Sequence, residues 1–417
     1  MMAEPIVITG IGAISPIGND VESIWKNLIN GKSGISNITR FDASSFSTRI
    51  AGELKGFDPS SLGSPKELRR MDRLSWHALA ACSEAINQSG LETSNSSPER
   101  SGVFWASGNG GMETVDQGLL EYANNQERPR FSPYFQSKVL VDAPSGWIAQ
   151  RHNFKGPNFT AVAACASSNV AIMSAMLHLQ AGLCDVALTG GSEAPISPSV
   201  VGGFSAMKAL SHLNETPELA SRPFAADRGG FVLAEGGAAL VLETLSHALN
   251  RNAPILAVLA GCGNANDAGH PTSADPEGIG SASSIKMALK MANLKHSEIS
   301  AINPHATSTP TGDLAEYHAL CSVFGKDLSG IPVFPTKCMT GHLLGAAGAL
   351  EAVIAIKCLL EQLIPGTINI GTIDPHLESI PLLISGKSES IALSHVLSHS
   401  AGFGGHNASV IFSKYDH

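Results

Sequence analysis

Residues 159–191 read FTAVAACASSNVAIMSAMLHLQAGLCDVALTGG, and this stretch decides the fold class. Phe159 to Ala164 has the pattern of a buried strand. A helix follows from about residue 165 to 180, and Gly182 ends it. Asp185 to Thr189 then returns as a strand into Gly190 and Gly191. Strand–helix–strand alternation of this kind predicts an α/β protein with a largely buried sheet.

The flanking sequence extends the pattern. Pro5 to Thr9 (PIVIT) reads as a buried strand ending at Gly10. Residues 66–88 read as one helix, with Met71, Leu74, Ala78, Ala81, Cys82 and Ala85 on its apolar face and Gly90 as its stop. Ser101 to Ala106 is a strand running into the turn GNGG at 108–111. A weak echo crosses the midpoint. PIVITG at 5–10 has a counterpart in PILAVLAG at 254–261. The strand and small-residue helix of 159–180 have one in VFPTKCMTGHLLGAAGALEAVIAI at 333–356. The echo suggests two related halves, 1–250 and 251–417, divided where the helical LETLSHALNRN gives way to a new strand. Any two α/β segments share such patterns, so the residues alone leave duplication open.

Composition supports a large core. Hydrophobic residues are 43% of the 417 and charged residues only 15%, against a usual ~25%. With 42 glycines, this profile excludes a disordered chain and a charged coiled coil, and fits tight turns and close backbone approaches. Lys and Arg number 27 and Asp and Glu 36, and the net charge of −9 argues against nucleic acid as the main partner. Seven cysteines with no CxxC point to free thiols in a reducing compartment. The start MMAEPIVITGIG lacks the basic segment of a secretory signal. The longest apolar stretch, near 343–356, is interrupted by Glu351, so no membrane span is expected. A cytoplasmic protein is expected.

Several residues carry candidate chemistry. Cys165 sits where a strand hands over to a helix, in ACASSN. A thiol at a helix N-terminus feels the positive end of the dipole, which lowers its pKa and suits a nucleophile. The plainer reading is a small buried apolar residue. His305 lies in NPHATSTPTGD, after an apolar strand and before a run of hydroxyls. Those hydroxyls could bind an elongated polar ligand or simply cap the helix that starts near Asp313. Lys337 and His342 flank Gly341 in a nearly charge-free stretch, where an unpaired lysine would be costly. Glu316 is its expected partner. Gly402, Gly404 and Gly405 surround Phe403 and allow backbone N–H groups to point into a site, or form a tight turn before the last strand. Lys66, Arg69, Arg70 and Arg73 fall on one face of the expected helix, either as a solvated stripe or as a dock for an acidic partner. GIGAIS at 10–15 lacks the third glycine of a dinucleotide fingerprint, and no HExxH, GxSxG or P-loop occurs. No metal is expected.

Together these motifs resemble the β-ketoacyl-acyl-carrier-protein synthases of the elongating type II kind. The resemblance covers essentially the whole chain. It rests on ACASS, NPHATSTPTGD, TKCMTGHLLGAAGALEA, LASRPFAADRGGFVLAEGGAALVLE and GFGGHNAS, in family order. It implies a thiolase-like fold, with two similar halves forming a five-layered αβαβα core. It also implies a homodimer joined through the strand Phe159 to Ala164. Cys165 would be the nucleophile, with the backbone N–H groups of Cys165 and Phe403 as the oxyanion hole. His305 and His342 would stabilise the enolate left by malonyl decarboxylation. Lys337, Glu316 and Asp313 would order the site. Thr307 and Thr309 would bind the phosphopantetheine arm of acyl carrier protein, which brings the substrates, so no cofactor is implied. Phe403 would gate the acyl pocket and Asn109 would line its floor. Lys66, Arg69, Arg70 and Lys208 would dock the acidic carrier.

The Cys, His, His combination separates this group from initiating synthases, which carry Asn for the second His, and from thiolases, which carry a second catalytic Cys. The sequence departs from the family at Pro304, Ala306, Asn109, Gly269 and Pro271. It departs again where His399-Ser400-Ala401 replaces Asn-Ser-Phe. These changes bear on chain length and gating. A ketosynthase of a type II polyketide system is the alternative enzyme. A chain-length-factor-like partner is the non-enzyme alternative, and Cys165, His305 and His342 together argue against it.

Overall fold

The computed structural model describes residues 4–92, 96–377, 380–384 and 386–416. Among them, nine strands form one mixed sheet: β1 (Ile6–Ile14), β2 (Ser101–Ala106), β3 (Asn158–Ala161), β4 (Val186–Glu193), β5 (Gly236–Thr244), β6 (Ala257–Asn266), β7 (Ala301–Asn303), β8 (His395–Gly402) and β9 (His406–Ser413). Their spatial order is β3-β2-β4-β5-β1-β6-β9-β8-β7. β2 is parallel to β3 and β4, β7 is parallel to β8, and the other pairs are antiparallel. The N-terminal strands meet the C-terminal ones where Ile6 and Val7 of β1 pair with Leu259 and Val258 of β6.

The echo seen in the sequence has a physical cause. Gly10 and Gly12 of β1 lie directly beneath helix α1 (Arg73–Ser89), and a Cβ on either would collide with the carbonyl oxygen of Ala85 or Ala81. Gly261 and Gly263 of β6 stand in the same relation to Ala288 and Ser284. Each strand also carries a bulge just before its Gly-x-Gly, between Ile8 and Gly10 and between Leu259 and Gly261. The bulge resets the alternation of faces. Apolar residues therefore point to the centre on both sides of it, while the two glycines let a helix backbone settle on the sheet.

The centre is filled by α2 (Ser167–Gln180) and α5 (Ala347–Glu361), which pack on each other and on strands from both ends of the sheet. Ile172 and Met176 of α2 and Leu350, Val353 and Ile354 of α5 share a cluster with Ile8, Leu242, Leu259 and Phe412. Residues 347–359 of α5 are all buried, as expected of a helix apolar on every side. Each large aliphatic side chain so buried contributes about 1.5–3 kcal/mol. α1 covers the half of the sheet holding β1 and β5, and α3 (Ile279–Ala292) covers the half holding β6 and β9, so across the two halves the layers run helix, sheet, helix, sheet, helix. This is the thiolase-like α/β fold. No helix among the described residues is long and apolar enough to cross a membrane.

Three expectations change. Residues 66–88 are not one helix. A single turn spans Pro65–Leu68, and Asp72 starts α1 afresh by accepting from Leu74 N. The four basic residues therefore do not share a face, and Arg73 turns inward. LETLSHALNRN is helical only over Leu245–Asn250, because Leu242 to Thr244 complete β5 and Thr244 then caps the helix. Helix α2 begins at Ser167, not at Cys165.

Candidate active site

Cys165 lies on a turn between β3 and α2. Ala164 is held at φ 48°, a conformation costly for a residue with a Cβ. Ser167 locks the turn: its Oγ accepts from Ala163 N at 2.8 Å and donates to Ala164 O at 2.6 Å. The end of β8 crosses this turn so closely that a Cβ on Gly402 would stand 2.8 Å from Cys165 N. Only glycine fits there, and it brings the Phe403 backbone beside the nucleophile turn.

His305 follows β7 and leads towards α4 (Pro310–Phe324). Both oxygens of Glu316, on α4, hold its backbone, accepting from His305 N at 2.6 Å and Ala306 N at 2.7 Å. Asp313 grips the same loop from Ser308 N at 3.1 Å and ties it to Phe224 N at 2.8 Å. Ala306 and Ser308 sit at φ 34° and 69°, so two buried carboxyls maintain a strained loop. Burial pushes Glu316 up to about 8 and Asp313 up to about 6, against the hydrogen bonds that lower them.

His342 is strapped to a neighbouring segment, His342 N donating to Val232 O at 2.8 Å and Ala234 N to His342 O at 3.0 Å. Gly341 at φ 69° and Leu344 at φ 48° flank it. Every member of the trio thus neighbours a residue in the left-handed region, a pattern typical of functional sites.

These elements bring the side chains together. His342 Nε2 is 3.1 Å from Cys165 Sγ. The His305 and His342 rings meet edge to face at 5.2 Å, and one donor atom from each of the three residues lies within 4.8 Å of the others. Burial, reinforced by the Lys337 ammonium, drives both imidazoles well below their usual pKa, so both are neutral at pH 7. Nδ1 of each ring is buried without a hydrogen-bond partner among the described residues. A stranded donor is rarer than a stranded acceptor. The proton therefore belongs on Nε2 of each ring.

Two expectations fail here. Lys337 pairs with Glu351 on α5, not with Glu316, whose oxygens are taken up by backbone N–H groups. The Cys165 thiol is not lowered. Burial pushes it up to about 12, although Lys337 opposes the rise. Being two residues short of the helix and half-buried in the cleft outweighs the dipole.

A cavity of about 380 Å³ opens on the trio and is lined by Thr307, Thr309, Phe403 and, at its exposed rim, Lys208. Thr307 and Thr309 share a hydroxyl contact of 3.0 Å. Phe403, Phe204, Phe231 and His342 form a row of successive ring contacts at 6.2, 5.3 and 5.3 Å. Asn109 is not part of this cavity wall, and Lys66, Arg69 and Arg70 lie outside it. Lys66 and Arg69 are exposed, while Arg70 stacks over Tyr134 at 5.4 Å. Sequence reasoning missed Glu351, Phe204, Phe231 and Glu193. The buried Glu193 carboxyl accepts from Gly108 N beside the site. A lone acid inside an apolar run was the readable signal for Glu351, while Glu193, in TGGSEAP, carried no such signal.

Comparison with known proteins agrees with this architecture. The Beta-ketoacyl synthase N-terminal domain matches residues 3–248 and its C-terminal domain residues 256–371. The 3-oxoacyl-[acyl-carrier-protein] synthase 2 of Staphylococcus aureus strain N315 is 39% identical over 411 residues, 99% of this chain and 98% of that protein. The protein of the same description in Coxiella burnetii is 39% identical over 411 residues, 98% of each. A type II polyketide acyl-carrier protein in complex with its ketosynthase gives a TM-score of 0.92 at 30% identity, over 99% of this chain and 100% of the matched one. A beta-ketoacyl synthase from Burkholderia phymatum gives 0.90 at 30%, again over 99% and 100%. Fold and site define a condensing acyltransferase. The chain belongs to the β-ketoacyl synthase family.

Proposed function

We propose that this cleft performs decarboxylative condensation, with Cys165 as nucleophile and His305 and His342 as neutral hydrogen-bond donors. The chain is a 3-oxoacyl-[acyl-carrier-protein] synthase of the elongating type. The observation that carries the mechanism is the 3.1 Å approach of His342 Nε2 to Cys165 Sγ beside His305, with both rings neutral.

In the first half-reaction Sγ bonds to the acyl carbonyl carbon. The carrier thiolate departs, and the Cys165 proton ends on the departing sulfur. Backbone N–H groups of Cys165 and Phe403 receive the oxyanion. The Nε2–H of His342 donates towards Sγ and favours the developing thiolate. In the second half-reaction the malonyl thioester carbonyl accepts from His305 and His342. The bond to the carboxylate breaks, CO₂ leaves, and its electron pair forms an enolate held by the two donors. The enolate carbon attacks the acyl carbon on Cys165. The 3-oxoacyl carrier is released, and the Cys165 thiolate takes up a proton. Neutral imidazoles suit this step because they donate without a charge that would need solvent.

Thr307 and Thr309 line the path for the phosphopantetheine arm, and Phe403 gates it. Lys66, Arg69, Arg70 and Lys208 form the dock for the acidic carrier. The exposed edge strand β3 supports a homodimer: Phe159 in it and Val162 just after it are 37% and 58% exposed, and its outer edge pairs with no strand among the described residues. The matching bulges and Gly-x-Gly pairs support halves 1–250 and 251–417. Fatty-acid elongation is preferred to polyketide synthesis because full-length relatives of that description reach 39% identity, against 30% for the polyketide ketosynthase.

The test is acylation. After incubation with acyl carrier protein substrate, peptide mass spectrometry should find the acyl group on Cys165; label at any other residue would remove it as nucleophile. His342→Ala should slow malonyl decarboxylation about 100- to 1,000-fold while acyl transfer to Cys165 stays measurable.

A further inference from the structure

Cys165, His305 and His342 come from three segments far apart in sequence, so no spacing motif marks them as a ligand set. The fold nevertheless gathers one sulfur and two imidazoles in one place. Cys165 Sγ, a ring nitrogen of His305 and one of His342 all lie within 4.8 Å of one another, and His342 Nε2 stands 3.1 Å from Sγ. In a tetrahedral zinc site, Zn–S bonds of about 2.3 Å and Zn–N bonds of about 2.0–2.1 Å set the ligand atoms about 3.3–3.6 Å apart. Ring rotations that shift these atoms by no more than about 1.5 Å bring the trio to that spacing. Among the described residues no other trio of histidine, cysteine and acidic side chains gathers its ligand atoms so closely.

The surroundings fix what would bind and how firmly. One sulfur and two imidazoles select soft and borderline ions such as Zn²⁺ over Mg²⁺ or Ca²⁺. All three residues line the cavity of about 380 Å³, so an ion has a way in and a water can fill its fourth position. A ligating imidazole normally donates its other N–H to a carbonyl or carboxylate, and here neither Nδ1 has a partner among the described residues. The Lys337 ammonium acts on all three groups and opposes a cation, while Glu193 and Glu351 act on Cys165 in the other sense. Such a site holds an ion reversibly rather than as a resident part of the fold.

We infer that Cys165, His305 and His342 form a reversible site for a thiophilic divalent cation, Zn²⁺ first, and that this ion inhibits the enzyme. Binding forms the Sγ–metal bond and breaks the S–H bond, and the proton passes to solvent. The His342 ring keeps its proton, which moves from Nε2 to Nδ1 and frees the Nε2 lone pair for the metal. The ion occupies the nucleophile and removes a hydrogen-bond donor from the cleft, so condensation stops. Inhibition rests on the condensation proposed above; binding itself does not.

The experiment titrates the full chain with Zn²⁺ by calorimetry in two buffers of different ionisation enthalpy. One ion per chain should bind at this site, with release of about one proton. Cys165→Ser should weaken that binding more than about 100-fold, beyond the loss expected for a missing second-shell partner. His342→Ala should act in the same direction. Co²⁺ gives an independent readout: the wild-type chain should show a thiolate-to-cobalt absorption band that Cys165→Ser lacks, although Cys321, the other thiol that is not fully buried, remains in that variant. In the condensation assay Zn²⁺ should abolish turnover, EDTA should restore it, and Mg²⁺ at the same concentration should leave it unchanged. A chain that binds no Zn²⁺, or binds it equally well as Cys165→Ser, overturns the inference. A chain that holds the ion on Cys165 and still condenses at full rate overturns the condensation reading of Cys165 rather than the site.

Discussion

Arg69 and Arg73 are four residues apart, the spacing of a single helical stripe, yet only Arg69 faces solvent. Arg69 is exposed on the turn that ends at Asp72. Arg73 is 11% exposed and forms ion pairs with Glu235 and, at 3.1 Å, with Glu113. In a chain with 15% charged residues, the contrast separates two uses of charge. Inside, charges are paired and hold elements in place: Arg73 with Glu235, Lys337 with Glu351, and Arg251 with Glu243. On the surface, Lys208 at the cavity rim and Lys66 and Arg69 beyond it are exposed to solvent, where their charge can meet a partner.

The largest effect should come from breaking an interior pair. Arg73→Ala leaves the fully buried Glu235 with Arg40 as its remaining ion-pair partner, beside the hydrogen bond from Leu54 N, and should lower unfolding free energy by about 3–5 kcal/mol in denaturant titration. Arg69→Ala should change it by no more than about 0.5 kcal/mol. Equal losses would erase the contrast.

Acid should expose the interior class next. Burial raises the Glu243 carboxyl, but hydrogen bonds from Arg251, His247 and Thr9 outweigh it and hold the group down at about 2. Its folded pKa lies below its unfolded value, so its contribution is present above the unfolded value near 4.5 and is lost as pH falls towards 2. That contribution is about 3 kcal/mol. Stability measured from pH 5 to pH 2 should fall less steeply in Glu243→Gln, which starts from a lower value; identical slopes would place the acid sensitivity elsewhere.

The smallest effect belongs to the surface. Arg69→Glu should leave stability nearly unchanged and raise the KM for carrier substrates several-fold, by roughly 1 kcal/mol, with the difference shrinking as salt rises. A KM equal to that of the parent chain at low salt would return this surface to a solvated face.

How much was readable follows the same division. The nucleophile turn was legible because strand, small residues and helix are consecutive, whereas the packing role of the Gly-x-Gly pairs in β1 and β6 was not, because it depends on which helix lies over each strand. The start of α2 was misplaced by two residues because Ser167, by gripping Ala163 and Ala164, holds a tight turn ahead of the first helical residue. The partner of Lys337 was misassigned although Glu351 stood in the same quoted stretch. That acid read only as a break in an apolar run. Spacing cannot say which carboxyl faces a lysine once Glu316 is claimed by two backbone N–H groups.

The amino-acid sequence by itself determined the α/β layering, the two Gly-x-Gly strands and the trio Cys165, His305 and His342. These rest on local patterns of side-chain size, turn chemistry and motif. Only the tertiary structure decided that Arg73 is interior, that Lys337 meets Glu351, that burial leaves the thiol protonated and the imidazoles neutral, and that one cavity opens on all three of Cys165, His305 and His342. Ion pairing, desolvation and empty space depend on which distant elements are packed together, and no local pattern records that.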